Sequence, residues 1–372
     1  MRHRASNMRN LMAITFIISL AMGITGLALP LYANDLGASY TEVGLLGTTY
    51  VALNFLFSPL AGHFSDRRGR KSLLVLGLFL VSISFALYLA INAVWWLLAV
   101  RLLQGAAEAP IWVNAQAAAG DLSRTKTRGK AMGTYGVSWA AGFSVGPLLG
   151  GYMYKTVGAT PTFILSAVIA FAAMFIALAT VLPKPQIIPR HIKIRELLPP
   201  CLLGFIYVGV LSIVFTIFSV YAYRLGVSAT EVGLLITIFA AFRMLLFIPM
   251  GKFSDRHGPK SAIQWGLVFI VIGSIGLAVV QTYLLFVLMM IVLAAAEGAI
   301  YPSVMSIVSK FGGQTSAYVI GIYNAVSVLG WAVLPPIGGY LVDRVSPFAP
   351  YLMCAGIALA ALLAHRKLFP KK

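Results

Sequence analysis

Two carboxylates lie in the middle of long apolar segments, where ionised groups are rare. Glu108 and Glu297 are 189 positions apart, and each is followed four positions later by an aromatic residue, Trp112 and Tyr301. A helix places residues four apart on the same face, and a carboxylate beside an aromatic ring suits an organic cation. A carboxylate in a cavity of low dielectric constant can also exchange protons. We therefore predict that Glu108 and Glu297 bind a substrate, a proton, or the two in competition.

Two arginines, Arg101 and Arg243, also fall within apolar segments. Arg101 precedes Glu108 by two helical turns, about 10 Å along a helix axis, so a long side chain or one water could join them. Arg243 could reach either glutamate or bind an anionic group. Buried charges usually face a cavity or a partner, and the sequence leaves both roles open. If both arginines face a cavity, an anionic or zwitterionic substrate is favoured over a cation.

Other polar residues in apolar segments are candidates for lining a cavity, among them Asn54, Tyr135 and Tyr323. For each of them a hydrogen bond between helices is an equally good explanation. Other chemistry finds no support in the sequence. It has no Gly-x4-Gly-Lys-Ser/Thr phosphate loop, no metal-ligand cluster and no Ser/His/Asp set, and its two cysteines lie far apart in apolar segments. The sequence therefore predicts neither an enzyme nor a bound metal or cofactor.

The composition predicts the elements that carry these residues. Of the 372 residues, 60% are hydrophobic and only 10% are charged, whereas soluble domains are about 45–50% apolar and about 25% charged. The chain is therefore predicted to lie in a lipid bilayer, where a spanning helix needs about 20 apolar residues. Twelve runs are long enough: 11–33, 41–61, 72–91, 95–118, 130–154, 161–182, 197–222, 230–250, 261–280, 283–308, 315–341 and 348–365.

The net charge is +18, and the positive residues are distributed unevenly between the connections. Of the 28 Lys and Arg residues, 23 lie in the two termini and the loops at 62–71, 119–130, 183–196, 251–260 and 309–314. The other side has only Lys155, Arg224 and Arg344. This alternation follows the positive-inside rule. We expect a multi-pass protein of the cell membrane with both termini in the cytoplasm, and no nucleic-acid partner.

The chain also contains an internal repeat. The stretch TEVGLL at Thr41, followed by FSPLAGHFSDRRGRKS, returns at Thr230 as TEVGLL followed by FIPMGKFSDRHGPKS. We predict two six-helix bundles, 1–182 and 197–372, joined by a cytoplasmic linker at 183–196. Parallel repeats of this kind place a binding cavity at the interface between the halves, near the middle of the bilayer. Because the repeat is internal, a monomer is sufficient for function.

Three motifs carry a family resemblance. They are Gly62-x-Phe64-x-Asp66-Arg67-x-Gly69-Arg70-Lys71, Arg101-x-x-Gln104-Gly105 and Gly133-x8-Gly142-x3-Gly146-Pro147-x2-Gly150-Gly151. Together they resemble the signatures of the major facilitator superfamily over the whole chain, and the third resembles the pattern of its proton-coupled drug antiporters. The resemblance implies an all-α integral membrane fold with twelve transmembrane helices in two pseudo-symmetric six-helix bundles. It also implies transport by alternating access and favours export.

The first motif suits a conformational latch between two spans. Gly62 and Gly69 permit a tight turn. Asp66 can accept hydrogen bonds from Arg67 or Arg70, or lie against a helix N-terminus, in one conformation only. The repeat equivalent of Asp66 is Asp255. The simpler interpretation is a basic anchor of the positive-inside type, although an anchor requires neither an aspartate nor glycines.

The other two motifs concern helix packing. Gly142 and Gly146 lie four residues apart on one helical face, so another helix can approach closely, and Pro147 bends the helix. This predicts either a kinked hinge or close packing without motion. Arg101 is expected to be a structural part of its own motif.

These features together predict a secondary transporter that exports small amphipathic, cationic compounds in exchange for protons. The alternative within transport is an anionic or zwitterionic metabolite, a sugar or a lysolipid, with or without proton coupling. A membrane receptor or scaffold is a different class, which would not need the paired glutamates.

Overall fold

The computed structural model describes residues 2–122, 128–182, 197–312 and 316–368, and the regular structure in these ranges is helical. The helices are α1 Arg2–Asp35, α2 Tyr40–Arg68, α3 Arg70–Leu87, α4 Val94–Leu122, α5 Arg128–Val157, α6 Ala159–Ala179, α7 Leu198–Ile213, α8 Ala229–His257, α9 Pro259–Val279, α10 Tyr283–Gly312, α11 Ser316–Arg344 and α12 Ala349–Leu368. After α7 the chain continues through a π-helical turn, Val214–Phe218, into a short α-helical segment, Ser219–Arg224. The predicted all-α fold with twelve transmembrane helices is confirmed.

Within the described ranges, nine helices are long and apolar enough to cross a membrane by their own composition. The three that fall short are α4, α5 and α12. α4 carries Gln104, Glu108 and Asn114, and α5 is rich in glycine, so both are less apolar than their neighbours. Two of these three helices thus carry candidate functional residues, as expected for polar groups retained inside a membrane protein.

The connection at 62–71 differs from the sequence prediction. α2 continues to Arg68 and α3 begins at Arg70, so the turn consists of Gly69 alone, whose φ is 93°. Gly62 lies inside α2, which makes its predicted part in the turn wrong. The apolar run marks only where a helix leaves the bilayer, and polar residues beyond it can remain helical. Gly258 makes the same turn in the second repeat, with φ of 85°.

The chain forms two compact units that exchange short segments. The first unit contains Met1–Gly37, Thr49–Ile188 and Ser228–Thr237, and the second contains Ala38–Thr48, Pro189–Val227 and Ile238–Lys372. The segments at the start of α2 and of α8 therefore group with helices of the other sequence repeat. The repeat-based division into 1–182 and 197–372 stays a prediction, and the linker 183–196 lies outside the described residues.

In the first unit, α5 packs along α1, and α4 packs along α3. Small residues allow these close approaches, because a methyl group on Gly77 of α3 would lie 2.7 Å from Ile111 Cγ1 and 2.9 Å from the Ala107 carbonyl oxygen of α4. Gly105 of α4 lies directly against the backbone of Tyr50 in α2. Gly105 belongs to the Arg101 motif and lies one helical turn before Glu108. Its lack of a side chain therefore lets Tyr50 of α2 lie close to Glu108.

In the second unit, α7 packs along α11, and α10 packs along α9. Gly266 of α9 faces Ile300 of α10, which repeats the contact between Gly77 and Ile111 at equivalent positions. Lipid tails are as apolar as leucine, so close van der Waals packing of this kind is what holds helices together in a bilayer. This packing buries one arginine of α8, Arg243, against α10.

Candidate functional site

Glu108 of α4 is buried, with 3% of its surface exposed. The Tyr50 hydroxyl donates a hydrogen bond to its Oε2 at 2.6 Å, and the Gln104 amide donates to its Oε1 at 2.7 Å. The Trp112 indole N–H also donates to Oε2, at 3.3 Å. Three neutral donors therefore compensate part of the cost of burying this charge. The structure brings Trp112 to Glu108 as the helical spacing predicted, whereas the sequence analysis missed Tyr50.

Gln104 connects Glu108 to Arg101. Its amide oxygen accepts a hydrogen bond from Arg101 Nη1 at 2.8 Å and another from the Tyr88 hydroxyl at 2.6 Å. Because two donors hold the amide oxygen, the amide nitrogen is directed to Glu108. The gap that the sequence leaves between Arg101 and Glu108 is thus bridged by a side chain. The signal for it was present, since Gln104 is three residues after Arg101 and four before Glu108.

An aromatic cluster adjoins Glu108 in the same unit. The rings of Trp112 and Phe143 have centroids 6.4 Å apart, and those of Trp139 and Phe143 are 5.1 Å apart. All three side chains are half-buried. The guanidinium of Arg101 lies 4.6 Å from the ring centre of Tyr50, so it also contributes charge beside an aromatic face.

Glu297 of α10 is held differently. Arg243 Nη1 of α8 donates to both of its carboxylate oxygens, at 3.1 Å to Oε1 and 3.2 Å to Oε2. The two residues are 8% and 4% exposed, which makes this a buried ion pair. Of the partners that the sequence left open for Arg243, the structure shows Glu297. Removal of one member of such a pair leaves an uncompensated charge and is strongly destabilising.

Tyr301 and Tyr323 both belong to the aromatic cluster around this ion pair. The ring of Tyr301 lies 5.3 Å from that of Phe247 and 6.5 Å from that of Tyr207. The Tyr323 hydroxyl donates to the Tyr207 hydroxyl at 3.3 Å, and both tyrosines are buried. Tyr207 was not among the predicted residues, because it sits in a predominantly apolar run and no spacing links it to Glu297.

The two glutamates occupy equivalent positions in the repeat, but their surroundings are not equivalent. The differences are Tyr50 against Phe239, Asn54 against Arg243, Arg101 against Met290 and Gln104 against Leu293. Asn54 donates to the Gly105 carbonyl at 3.2 Å, a neutral bond between α2 and α4. One acid is therefore held by neutral donors and the other by a direct arginine partner.

One residue predicted from the sequence, Tyr135, is not joined to either cluster. Tyr135 is buried in α5, and among the described side chains no hydrogen bond links it to Glu108 or Glu297. No group of three or more His, Cys, Asp or Glu in the described part of the chain is placed to hold a metal ion.

The motif around Gly69 connects α2, α3 and α4. Arg70 Nε pairs with Asp121 Oδ2 at 3.1 Å, and Arg70 Nη1 donates to Ser65 Oγ at 2.9 Å. Ser65 in turn donates to the side chain of Asn114. Asp121 was missed because it lies fifty-one residues from Arg70 in the sequence.

The other charged residues predicted to form the latch are Asp66, Arg67 and Asp255. Arg67 is exposed, and the side chains of Asp66 and Asp255 lie outside the described ones. The latch around Asp66 stays a prediction.

The glycine face of α5 packs against α1. The sequence predicted a close helical partner for this face but did not identify it. A methyl group on Gly146 would lie 2.6 Å from Gly23 Cα, and one on Gly142 would lie 2.6 Å from Ser19 Cβ. Pro147 lies within α5, directly after Gly146. The close packing is therefore confirmed, and the hinge stays a prediction.

A multi-helix membrane protein with a charged cluster buried in each unit has the features of a membrane transporter. Residues 11–199 and 200–372 match the sequence model of the Major Facilitator Superfamily. The chain therefore belongs to this superfamily. It is a multi-pass membrane transporter of small molecules and not an enzyme.

Two named relatives are similar to the chain in sequence, and one solved structure is similar to it in fold. The chain is 27% identical to Multidrug resistance protein 1 of Bacillus subtilis (strain 168), over 92% of each chain. It is 24% identical to Quinolone resistance protein NorA of Staphylococcus aureus (strain MRSA252), over 94% of this chain and 92% of that protein. A crystal structure of a mutant of the nucleoside transporter NupG is similar in fold, with a TM-score of 0.84, 13% identity and coverage of 98% of this chain and 100% of the other.

Proposed function

We propose that the chain exports small amphipathic compounds, organic cations among them, across the cell membrane in exchange for protons. The observation that carries this proposal is the buried Glu108 carboxylate beside Trp112, Phe143 and Trp139. A flat cation can stack on these rings while its charge is attracted by the carboxylate. The two relatives named for drug resistance, Multidrug resistance protein 1 and NorA, support the same substrate class.

The proposal gives the predicted residues three kinds of role. Glu108 and Glu297 bind the cation or the coupling proton. Other residues shape the binding cavity, namely Trp112, Asn54, Tyr301, Tyr323 and Arg243 near the glutamates and Tyr135 on α5. Residues outside the clusters govern the conformational change: Asp66, Arg67, Gly69, Arg70 and Asp255 as a latch, Gly142, Gly146 and Pro147 as a hinge, and Arg101 as a structural anchor of α4.

A second candidate substrate class has its own supporting observation. Arg243 pairs with Glu297 directly, and Arg101 reaches Glu108 through Gln104, so each acid has a basic residue near it. A cluster that contains both an acidic and a basic side chain also suits an anionic or zwitterionic compound. Such a compound would be transported with or without proton coupling.

The charge asymmetry supports an orientation with both termini in the cytoplasm. The internal repeat supports a monomer as the working unit, because each chain supplies both halves of a parallel repeat.

The test is compound-driven proton movement in liposomes that contain the purified protein and a pH-sensitive dye. A pH gradient is imposed, and ethidium or tetraphenylphosphonium is added on one side. We expect proton flux with the wild-type protein and none with Glu108→Gln, whose neutral side chain keeps the shape but loses the charge. Protein-free liposomes are the control for leakage. Absence of flux with every cation, in a protein that elutes as a single folded species, would contradict the proposal and direct the search to anions and zwitterions.

A further inference from the structure

The repeated segment TEVGLL makes the same kind of contact in both repeats. In the first repeat it begins α2, and Gly44 lies directly against the Pro335 carbonyl of α11. In the second repeat it begins α8, and Gly233 lies directly against the Pro147 carbonyl of α5. Each of these contacts lies within one compact unit. The glycine of the segment therefore lets the start of a helix dock on the backbone of a proline-containing helix.

A threonine four residues after each of these glycines binds the same partner helix. The Thr48 hydroxyl donates to the Ala332 carbonyl of α11, and the Thr237 hydroxyl donates to the Ser144 carbonyl of α5 at 2.8 Å. Pro336 has no N–H to offer to Ala332, which lies four residues before it, so Thr48 supplies a donor in place of the missing one. Both contacts thus depend on backbone groups and single hydroxyls.

The contact of α2 with α11 has an additional acidic residue, Asp343 near the end of α11. The Tyr40 amide donates to its Oδ1 at 3.1 Å, and the amide and hydroxyl of Thr41 donate to its Oδ2 at 2.8 and 2.6 Å. The N–H groups at the start of a helix lack partners within the helix, and a negative charge is favourable there. Asp343 therefore caps α2 from another helix. The equivalent residue of α5 is Lys155, which has no acceptor atom to cap α8.

Arg224, which follows α7, binds the segment that leads into α2. Its Nη2 donates to the Ala38 carbonyl at 2.9 Å, and its guanidinium lies 4.2 Å from the centre of the Tyr40 ring. Arg224 is one of only three basic residues that the charge pattern places on this side of the membrane. A basic residue and an acidic residue of the second unit thus both hold the start of α2.

The same contact contains a group that opposes it. Trp331 of α11 lies against Gly47 of α2, where a methyl group would be 2.9 Å from the indole Cδ1 and 3.2 Å from Nε1. The indole N–H is buried, and the described residues offer it no acceptor. A buried donor without an acceptor is unfavourable, and water could reach this one if α2 moved away. The bonds to Asp343 therefore have to offset this cost to keep α2 on α11.

We infer that Asp343 holds closed a gate on the side of the membrane that has few basic residues. The gate consists of the two contacts of the repeated segment, and both open together when the transport path opens to that side. This inference rests on the alternating movement that export requires in the proposed function, and it names the contacts that move. Loss of the Asp343 carboxylate loosens α2 from α11 without unfolding α2, because Ser39 and Glu42 still cap each other at its start.

Cysteine labelling tests the gate without any substrate. In purified protein free of its native cysteines, Val43→Cys in α2 and Val232→Cys in α8 are reporters at equivalent, fully buried positions. We expect Asp343→Ala to raise the rate of maleimide labelling at both reporters about tenfold, as for the loss of a helix cap. Asp343→Asn keeps one acceptor oxygen and should raise it less. Arg344→Ala, which alters the exposed neighbour of Asp343, is the control and should leave both rates unchanged.

Two results of this labelling would overturn the inference. The first is an unchanged rate in Asp343→Ala, which would show that the carboxylate does not hold the contact. The second is a faster rate at Val43→Cys alone, which would show that only the start of α2 frays and that no gate opens. Circular dichroism and a single elution peak verify that each variant is folded.

Cross-linking tests whether the contact has to open during transport. The side chains of Thr41 and Asp343 touch, so the double variant Thr41→Cys and Asp343→Cys can be joined by a short bifunctional methanethiosulfonate. We expect ethidium transport in liposomes to stop on cross-linking and to return when the link is reduced, while each single-cysteine variant is unaffected by the reagent. Transport that continues in the cross-linked protein would overturn the gate. Absence of ethidium transport in the wild type would contradict the proposed function alone, because the labelling test needs no transport.

Discussion

At the scale of single residues, the cluster around Glu108 depends on Gln104. The Gln104 amide accepts from Arg101 and Tyr88 and donates to Glu108, so its loss leaves three polar groups short of a partner. A buried group that loses its partner costs about 1–3 kcal/mol. We expect Gln104→Leu, which copies the residue of the second repeat at Leu293, to lower the rate of ethidium transport about tenfold or more. The measurement is ethidium efflux from liposomes or cells at matched protein levels.

Gln116→Leu on the same helix is the control for Gln104→Leu. Gln116 is half-buried, whereas Gln104 is 2% exposed, and the Gln116 side chain makes no hydrogen bond to another described residue. This variant is expected to transport ethidium at close to the wild-type rate. Equal transport by the two variants would show that the bridge between Arg101 and Glu108 has no part in function.

Some of the residue-level geometry could be predicted from the sequence. Contacts along one helix follow from spacing. Trp112 was therefore placed beside Glu108 correctly, and the contact between Gln104 and Glu108 could have been predicted in the same way. Contacts between helices do not follow from spacing. Arg243 and Glu297 are fifty-four residues apart in sequence, and their pairing depends on how α8 lies against α10.

At the scale of elements, the contact between α1 and α5 is limited by glycine. A methyl group on Gly146 would meet the Gly23 backbone at 2.6 Å, and backbone cannot move aside as a flexible side chain can. Overpacking of this kind costs about 1–3 kcal/mol. We expect Gly146→Ala to lower the thermal midpoint of the detergent-purified protein, measured as the fraction that stays monodisperse after heating.

Gly136→Ala provides the comparison within the same helix. A methyl group there meets nothing within 4 Å, and alanine is favoured over glycine in a helix by about 1 kcal/mol. Its thermal midpoint should equal or exceed that of the wild type. If the two alanine variants are equally stable, the close packing of α1 on α5 does not limit stability. If Gly146→Ala folds normally but does not transport, the contact is part of the moving hinge.

The elements themselves were predicted well, because apolar runs of about 20 residues leave few alternatives. Their ends were predicted less well. α2 extends seven residues beyond its apolar run to Arg68, since hydropathy marks the edge of the bilayer and not the end of the helix. The π-helical turn at Val214–Phe218 has no sequence signal, because it depends on local packing and not on residue type.

At the scale of the whole molecule, the repeat predicted two six-helix bundles but not the exchange of segments between the compact units. Residues 38–48 group with the second unit and residues 228–237 with the first. These are the starts of α2 and α8, where TEVGLL recurs at Thr41 and Thr230. Sequence similarity between two copies of a motif cannot show which neighbours each copy packs against. α2 and α8 therefore each have residues in both units.

The orientation of the molecule in the membrane is the last prediction, and it rests on charge alone. The connections that contain 23 of the 28 Lys and Arg residues are expected in the cytoplasm. The native cysteines, Cys201 and Cys354, are both buried and free, so a cysteine-free background can be made by replacing them with alanine. Single cysteines are then introduced at Val157, which is 50% exposed, and at His257, which is exposed at the end of α8. A membrane-impermeant maleimide should label Val157→Cys in intact cells and His257→Cys only after the cells are opened. Neither substitution removes a lysine or arginine, so the charge asymmetry is preserved. Labelling in the reverse order would place both termini outside and would show that the positive-inside rule does not govern this chain.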